Sequence, residues 1–369
     1  MKKWYKFLFL PVLILALAGC SKDDDDESIE VEDGKVTQLQ KHTIGKGVPI
    51  AIMCRNFTDR DIASGKYREA VNWALEGLFS VHPMKSLRDY FDVYEITAVA
   101  WYDNSQDSST PSYVQNESND GVFGYAHKAF GEDLEDLEDV VLIVLNNKHF
   151  RSCASWSSSS QESDIPSGFS SAFVWFPQRY DGTIRKDYDP SVLLHEFGHA
   201  FAGLGDEYVE EASKWDDIEG CKKFVMDQQN SGYKRNLSFD SDVTKSYWAD
   251  LAADSRYDFE KLGCYEGGEY QEKGVYRPTE NSIMRDNETS SYFNVVARVM
   301  IYKRCMKIAY GDSWKFNYED FVKFDLEKAK AAYQADKEQH STSSTSKRFC
   351  APPRFVDSYS WQRVNKPAK

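Results

Sequence analysis

The sequence predicts an α/β fold: a twisted mixed sheet with one backing helix and one active-site helix, plus a more irregular C-terminal lobe. Three features point there. Short apolar, largely β-branched runs recur at residues 48–54 (VPIAIMC), 93–100 (VYEITAVA), 140–145 (VVLIVL) and 172–176 (AFVWF), each the length of a buried strand. Between the first two, Tyr67, Ala70, Val71, Ala74, Leu75 and Leu78 share one helical face. A strongly apolar helix, residues 191–202, follows the strands. Strands that alternate with helices in this way bury their apolar faces against each other.

The chain opens on an export signal. Lys2, Lys3 and Lys6 precede an apolar core at residues 7–18, and Leu17-Ala18-Gly19-Cys20 resembles the lipobox of bacterial lipoproteins. Cleavage before Cys20 and acylation of its thiol would anchor an otherwise soluble protein to a membrane surface. The expected place is the cell envelope, with the acidic run SKDDDDE at residues 21–27 acting as an extended tether or as a tag for the outer face of an outer membrane. The tether is expected to span residues 20–39, and one catalytic domain residues 40–339, with lobes at about 40–205 and 206–339. A Ser/Thr-rich tail, residues 340–369, follows.

Composition excludes several classes. Apolar residues make up 41% and charged residues 28%, enough to bury a sizeable core in a 369-residue chain. The formal charge of −14 becomes −17 once residues 1–19 and their three lysines are removed. A chain so acidic is a poor partner for nucleic acid. No run reaches the roughly 18 apolar residues of a membrane span. Setting Cys20 aside leaves Cys54, Cys153, Cys221, Cys264, Cys305 and Cys350, an even number in an oxidising compartment, so disulfides are expected, with Cys221–Cys264 as the favoured pair.

Along the ordered chain, the 67–78 helix is expected to end before His82-Pro83, and residues 103–120 and 155–171 to be polar loops. The strand at 172–176 is closed by Pro177, which favours a sheet edge where an extended peptide could pair. Residues 210–280 read as irregular and polar. Helical patterns return at 292–309 and 321–333, and the tail should be loosely packed unless Cys350 staples it.

The chemistry concentrates in SVLLHEFGHAFAGLGDEYVE, residues 191–210. His195 and His199 stand four apart and project from one helical face, close enough for both imidazoles to hold one Zn²⁺ per chain. Glu196 lies beside the first ligand and can accept a proton from metal-activated water. A catalytic zinc needs a third protein ligand and an open position. Gly203 and Gly205 should end the helix and turn the chain, which makes Asp206 the leading third ligand, with Glu207 or a distant Glu as rivals. Downstream, Asn281-Ser282-Ile283-Met284-Arg285 places Met284 in a Ser-Ile-Met turn. Alone it would read as a core methionine. Paired with the zinc helix it resembles the Met-turn of the metzincin peptidases.

Together, HEFGHAFAGLGDEY and YRPTENSIMR resemble the IgA-peptidase-like family of secreted bacterial metallopeptidases, over roughly residues 40–310. The resemblance implies a metzincin-like zinc peptidase in which His195, His199 and Asp206 bind zinc, Glu196 is the general base and Met284 is the Met-turn residue. The chain departs from the pattern H-E-x-x-H-x-x-G-x-x-H: position 202 is Ala, Gly comes at 203, and the acid stands at 206. The place of the Tyr that follows some Met-turns is held by Asp286. Tyr276 and Arg277 are candidates to steady an oxyanion in its stead, Arg277 having an ordinary structural pairing as its simpler role. The expected activity is endopeptidase cleavage of extracellular proteins or peptides. The competing expectation is a surface binding or adhesion lipoprotein that keeps the fold without activity, although such a scaffold has no need of Glu196.

Overall fold

The computed structural model describes residues 30–100, 124–131, 137–147, 151–157, 162–176, 179, 182–340 and 350–356. The signal segment, Cys20, the acidic run and the 103–120 loop lie outside the described residues.

Strands β1 (Val36–Gln40), β2 (Val48–Arg55), β3 (Phe91–Ile96), β4 (Val141–Asn146), β5 (Cys153–Ser157), β6 (Ser170–Trp175) and β9 (Arg354–Val356) form one seven-stranded sheet, and β7 (Tyr265–Gly268) pairs with β8 (Gln271–Arg277) in a separate hairpin. The sheet order is β1-β3-β2-β4-β6-β5-β9. β3, β2, β4 and β6 run parallel, whereas β1 and β5 are antiparallel to their neighbours β3 and β6. The longer helices are α1 (Lys66–Leu78), α2 (Ser191–Ala202), α3 (Ile218–Gln229), α4 (Val295–Tyr310) and α5 (Tyr318–His340).

The central strands are apolar along their whole length because both faces are covered. Alternate residues divide between two cores. Ile50, Ile52, Val141, Ile143, Leu145 and Val174 pack with α1, α2 and α4. Ala51, Met53, Leu142, Val144 and Phe173 pack on the opposite face with Ala126 and Leu137. Helix α2 lies against β5, β6, α1 and α4, so all twelve of its residues are buried.

Several expectations are corrected. The tether is shorter than residues 20–39, because residues 36–40 pair with β3 as β1. The Ser-rich stretch at 155–171 contributes strand β5 and the first residues of β6. Ser and Ala alternate there with Trp156, and packing rather than propensity makes the strand. β6 is not an edge: it sits between β4 and β5. Residues 210–280 hold α3, the β7–β8 hairpin and short helical turns at Ala249–Ala253 and Ser255–Glu260. The tail is not wholly loose, since residues 354–356 join the sheet as β9, parallel to β5. Among the described residues, none of the six cysteines is joined in a disulfide. Cys221 is buried with Val225, Leu237 and Val275, whereas Cys264 packs against the main core, so the favoured disulfide partners lie in different clusters.

Candidate active site

The four-residue spacing on α2 brings the His195 and His199 rings to 4.6 Å between centroids. Each ring is oriented through its far nitrogen. His195 Nδ1 donates to the carbonyl of Ile283 at 2.9 Å, and His199 Nδ1 donates to that of Leu204 at 2.6 Å. A carbonyl only accepts, so each Nδ1 carries a proton, and in the neutral imidazole each Nε2 presents its lone pair. Those two atoms are 3.0 Å apart.

Helix α2 stops at Gly203, which takes a left-handed φ of 61° and donates to the carbonyl of His199. A side chain there would be strained, and its Cβ would come within 2.5 Å of the Tyr233 ring. The turn swings Asp206 back under the helix, where Oδ1 lies 3.2 Å from both Nε2 atoms. Three acceptor atoms thus face one another, and Asp206 Oδ1 has no hydrogen-bond donor. A cation resolves that conflict. Four ligands arranged tetrahedrally at the usual zinc distances stand roughly 3.3–3.4 Å apart, close to the spacing seen. The residues fit such an ion.

The turn is clamped. Asn236 accepts from the Gly205 amide at 2.7 Å and donates to the Gly205 carbonyl at 2.9 Å. The Asp206 carbonyl accepts from the Glu269 amide at 2.8 Å, and Tyr270 donates its hydroxyl to Asp206 Oδ2 at 2.6 Å. Burial alone would raise the Asp206 carboxyl, but without metal the attraction of the imidazoles in their protonated form, His199 first, overcomes it and holds the group far below the ordinary range.

Glu207, the rival ligand, turns away. It accepts from Ser282 at 2.6 Å, from Asn236 at 2.9 Å and from Asn294 at 3.1 Å. It ties the turn after α2 to the Ser-Ile-Met turn and to the start of α4. Met284 is fully buried there, and its sulfur lies against the α2 backbone at Gly198. The Glu207 amide donates to the Met284 carbonyl at 3.0 Å, which closes the link between the two motifs.

Glu196 is 0% exposed, and neither of its carboxylate oxygens has a hydrogen-bond partner. Burial pushes its carboxyl up to about 8, with His195 opposing and Asp206 reinforcing the rise. A buried carboxylate held without donors beside two imidazoles is costly to fold around and is the mark of a working group.

Tyr276 and Arg277 are not brought into this cluster by the described contacts. Arg277 donates to the carbonyls of Glu266 and Gly267 at 2.7 and 2.8 Å and to that of Glu280, so it braces the β7–β8 hairpin against the following loop. The backbone of Tyr276 pairs with Ser238. The tyrosines near the site are instead Tyr270 and Tyr208, whose ring stacks on that of His195 at 6.3 Å. Sequence reasoning missed both. The motif DEY, which puts Tyr208 two residues past the ligand, was the available signal, whereas Tyr270 arrives through the hairpin and left none.

Donors of this kind, on a helix and the turn that follows it, could hold one metal ion. A family model described as IgA Peptidase M64 matches residues 38–257 and 249–303, and the chain belongs to that family. It is therefore a peptidase, and its substrates are proteins or peptides. No curated protein matches the chain.

Proposed function

We propose that this protein is a zinc-dependent endopeptidase, anchored to the cell envelope through a lipid on Cys20 and acting on extracellular proteins. The reading is carried by one observation: His195 Nε2, His199 Nε2 and Asp206 Oδ1 converge at 3.0–3.2 Å in a fully buried pocket. Two imidazoles and one carboxylate are a donor set suited to zinc rather than to the hard, all-oxygen sites of calcium or magnesium. When bound, the ion supplies a Lewis acid that polarises the scissile carbonyl and activates water.

The chain's own residues supply the rest. Glu196 takes the proton of the attacking water and passes it to the departing amine, so no covalent acyl-enzyme forms. Met284 gives the ligands an apolar floor that keeps water from beneath them. Ile283 and Leu204 hold the imidazoles in the ligating tautomer through their carbonyls, and Tyr270 holds the carboxylate. The Glu207 hub fixes the two turns relative to each other.

The test compares wild type with Glu196→Gln for zinc content and for cleavage of a denatured protein mixture. Both should hold one zinc, and the variant should lose at least about 10²-fold in rate, the usual contribution of a general base. A wild-type protein without zinc, or a variant as active as wild type, would sink the proposal.

A further inference from the structure

The groups assigned to catalysis are sealed from solvent: His195 is 1% exposed, and Glu196, His199 and Asp206 are 0%. No peptide can reach them while that cover stays, and part of the cover is the chain's own C-terminus. Cys350 is 1% exposed, and its Sγ, a ring nitrogen of His195 and an oxygen of Glu196 lie within 4.8 Å of one another. The sulfur stands beside the first histidine and the base but outside the tighter group formed by His195, His199 and Asp206, so ligation requires it to move toward them. Asn287 Nδ2 donates to Sγ at 3.6 Å. Glu196, fully buried and without a partner, is aimed into the same space.

The backbone around Cys350 is held as a bound peptide would be. Cys350 bridges to Ser152 in parallel register, and the Ala351 amide donates to the Ser152 carbonyl at 2.6 Å. Arg151 Nε donates to the Cys350 carbonyl at 2.9 Å, and the same guanidinium is fixed by Glu210 at 2.6 Å. Beyond Pro352 and Pro353, which favour extended backbone, residues 354–356 pair with residues 155–157. Without this segment β5 would be an open edge, and an open edge beside a peptidase site is a ready template for an extended peptide.

We propose that Cys350 is a fourth ligand of the metal centre and that residues 350–356 fill the substrate groove along β5, so that the intact chain is latent. The proposal rests on the metallopeptidase reading above. A zinc site with three protein ligands keeps one position for water, and a thiolate is among the ligands zinc takes most readily. On ligation the thiol gives up its proton and the water leaves, with no change in oxidation state. Displacing the segment reverses both steps and opens groove and metal together. Cys350 lies beyond residues 38–303, the span the family model covers.

The experiment loads the full mature chain with Co²⁺ in place of zinc and measures bound metal by elemental analysis and the near-ultraviolet charge-transfer band that only a thiolate–cobalt bond gives. The band should appear in wild type and be lost in Cys350→Ser, with cobalt still bound in both. In zinc-loaded protein, Cys350→Ser should raise peptide cleavage by about tenfold or more, because the competent state is no longer a minor population. Should that variant fold poorly, alkylation of Cys350 in wild type, followed by peptide mass analysis, should speed up on the order of tenfold when the metal is chelated. Bound cobalt without a band, a band that survives the substitution, or alkylation indifferent to metal overturns the proposal and leaves the metal site standing. A wild-type chain that binds no cobalt overturns the metal reading beneath it.

Discussion

Replacing Tyr270 by Phe removes one hydroxyl and nothing else from the site. The ring keeps its packing on Tyr208, at 5.5 Å between centroids, so the fold should be preserved. The lost bond is the 2.6 Å donation to Asp206 Oδ2, fully buried and made to a carboxylate whose other oxygen faces the two imidazoles. A buried hydrogen bond to a charged group contributes about 1.5–3 kcal/mol. That bond exists with and without metal, so unfolding of the metal-free protein should register its loss directly. Metal affinity registers a different quantity, the part of the bond that holds Oδ1 at its point of convergence. Outer partners of metal ligands typically govern about 10- to 100-fold in affinity. The assay is competition for zinc against a chelator of known strength, run on wild type and Tyr270→Phe, with metal-free stability measured by denaturant unfolding in parallel. The expected result is a weakening within that range. An affinity within about twofold of wild type, alongside the expected loss of stability, would refute the claim that Tyr270 aims the carboxylate.

Two further predictions concern the buried charged cluster around Asp325. Arg298 is fully buried and bonds Asp325 through two nitrogens at 2.8 Å, Glu260 at 2.8 Å and the carbonyl of Phe293 at 2.7 Å. Arg298→Met removes the one cation that Asp325 and Glu260 share, leaving Asp325 to His82 and Tyr257 and Glu260 to Tyr292 and the Val295 amide, and should cost about 3–5 kcal/mol, or roughly 5–10 °C in melting temperature. Burial pushes the His82 imidazole below its ordinary range despite its 2.7 Å contact with Asp325. The unfolded chain then takes up a proton that the folded chain refuses, so stability should fall as pH drops below about 6.5. Denaturant unfolding across that interval checks the slope, and His82→Gln should flatten it.

Sequence legibility follows the range of the interaction that makes each feature. Strands β2 and β4 were legible because their burial on both faces writes a continuous apolar run into a few consecutive residues. Helices α1 and α2 were legible for the same local reason, with α2 bounded at the predicted residues. β5 was not: its sequence, CASWS, has little strand character of its own and becomes a strand by lying between β6 and the tail. β1 was hidden for a related reason, since a polar strand at a sheet edge differs little from a tether. The placement of β6 at the edge rested on Pro177, and a proline bounding a strand marks where pairing stops rather than which neighbours the strand has.

The site divides along the same line, and the division bears on how its parts work together. His195, Glu196 and His199 are set by helical spacing, and Asp206 by two glycines, all within twelve residues. What makes those residues usable comes from afar. Tyr270 is carried in by a hairpin, Asn236 clamps the turn, Ser282 and Asn294 hold Glu207, and Cys350 returns from the end of the chain to meet the base. Such partners leave no spacing to read, because the fold rather than the local sequence sets their distance. The cysteines show the consequence most clearly. Their even number pointed to disulfides, yet none of the six is disulfide-bonded among the described residues, and the one at residue 350 faces a nitrogen and a carboxylate instead of a sulfur. A thiol kept unpaired beside histidine and glutamate is fit to ligate metal, and the same composition that misled the disulfide expectation supplies the site with a ligand that can be withdrawn.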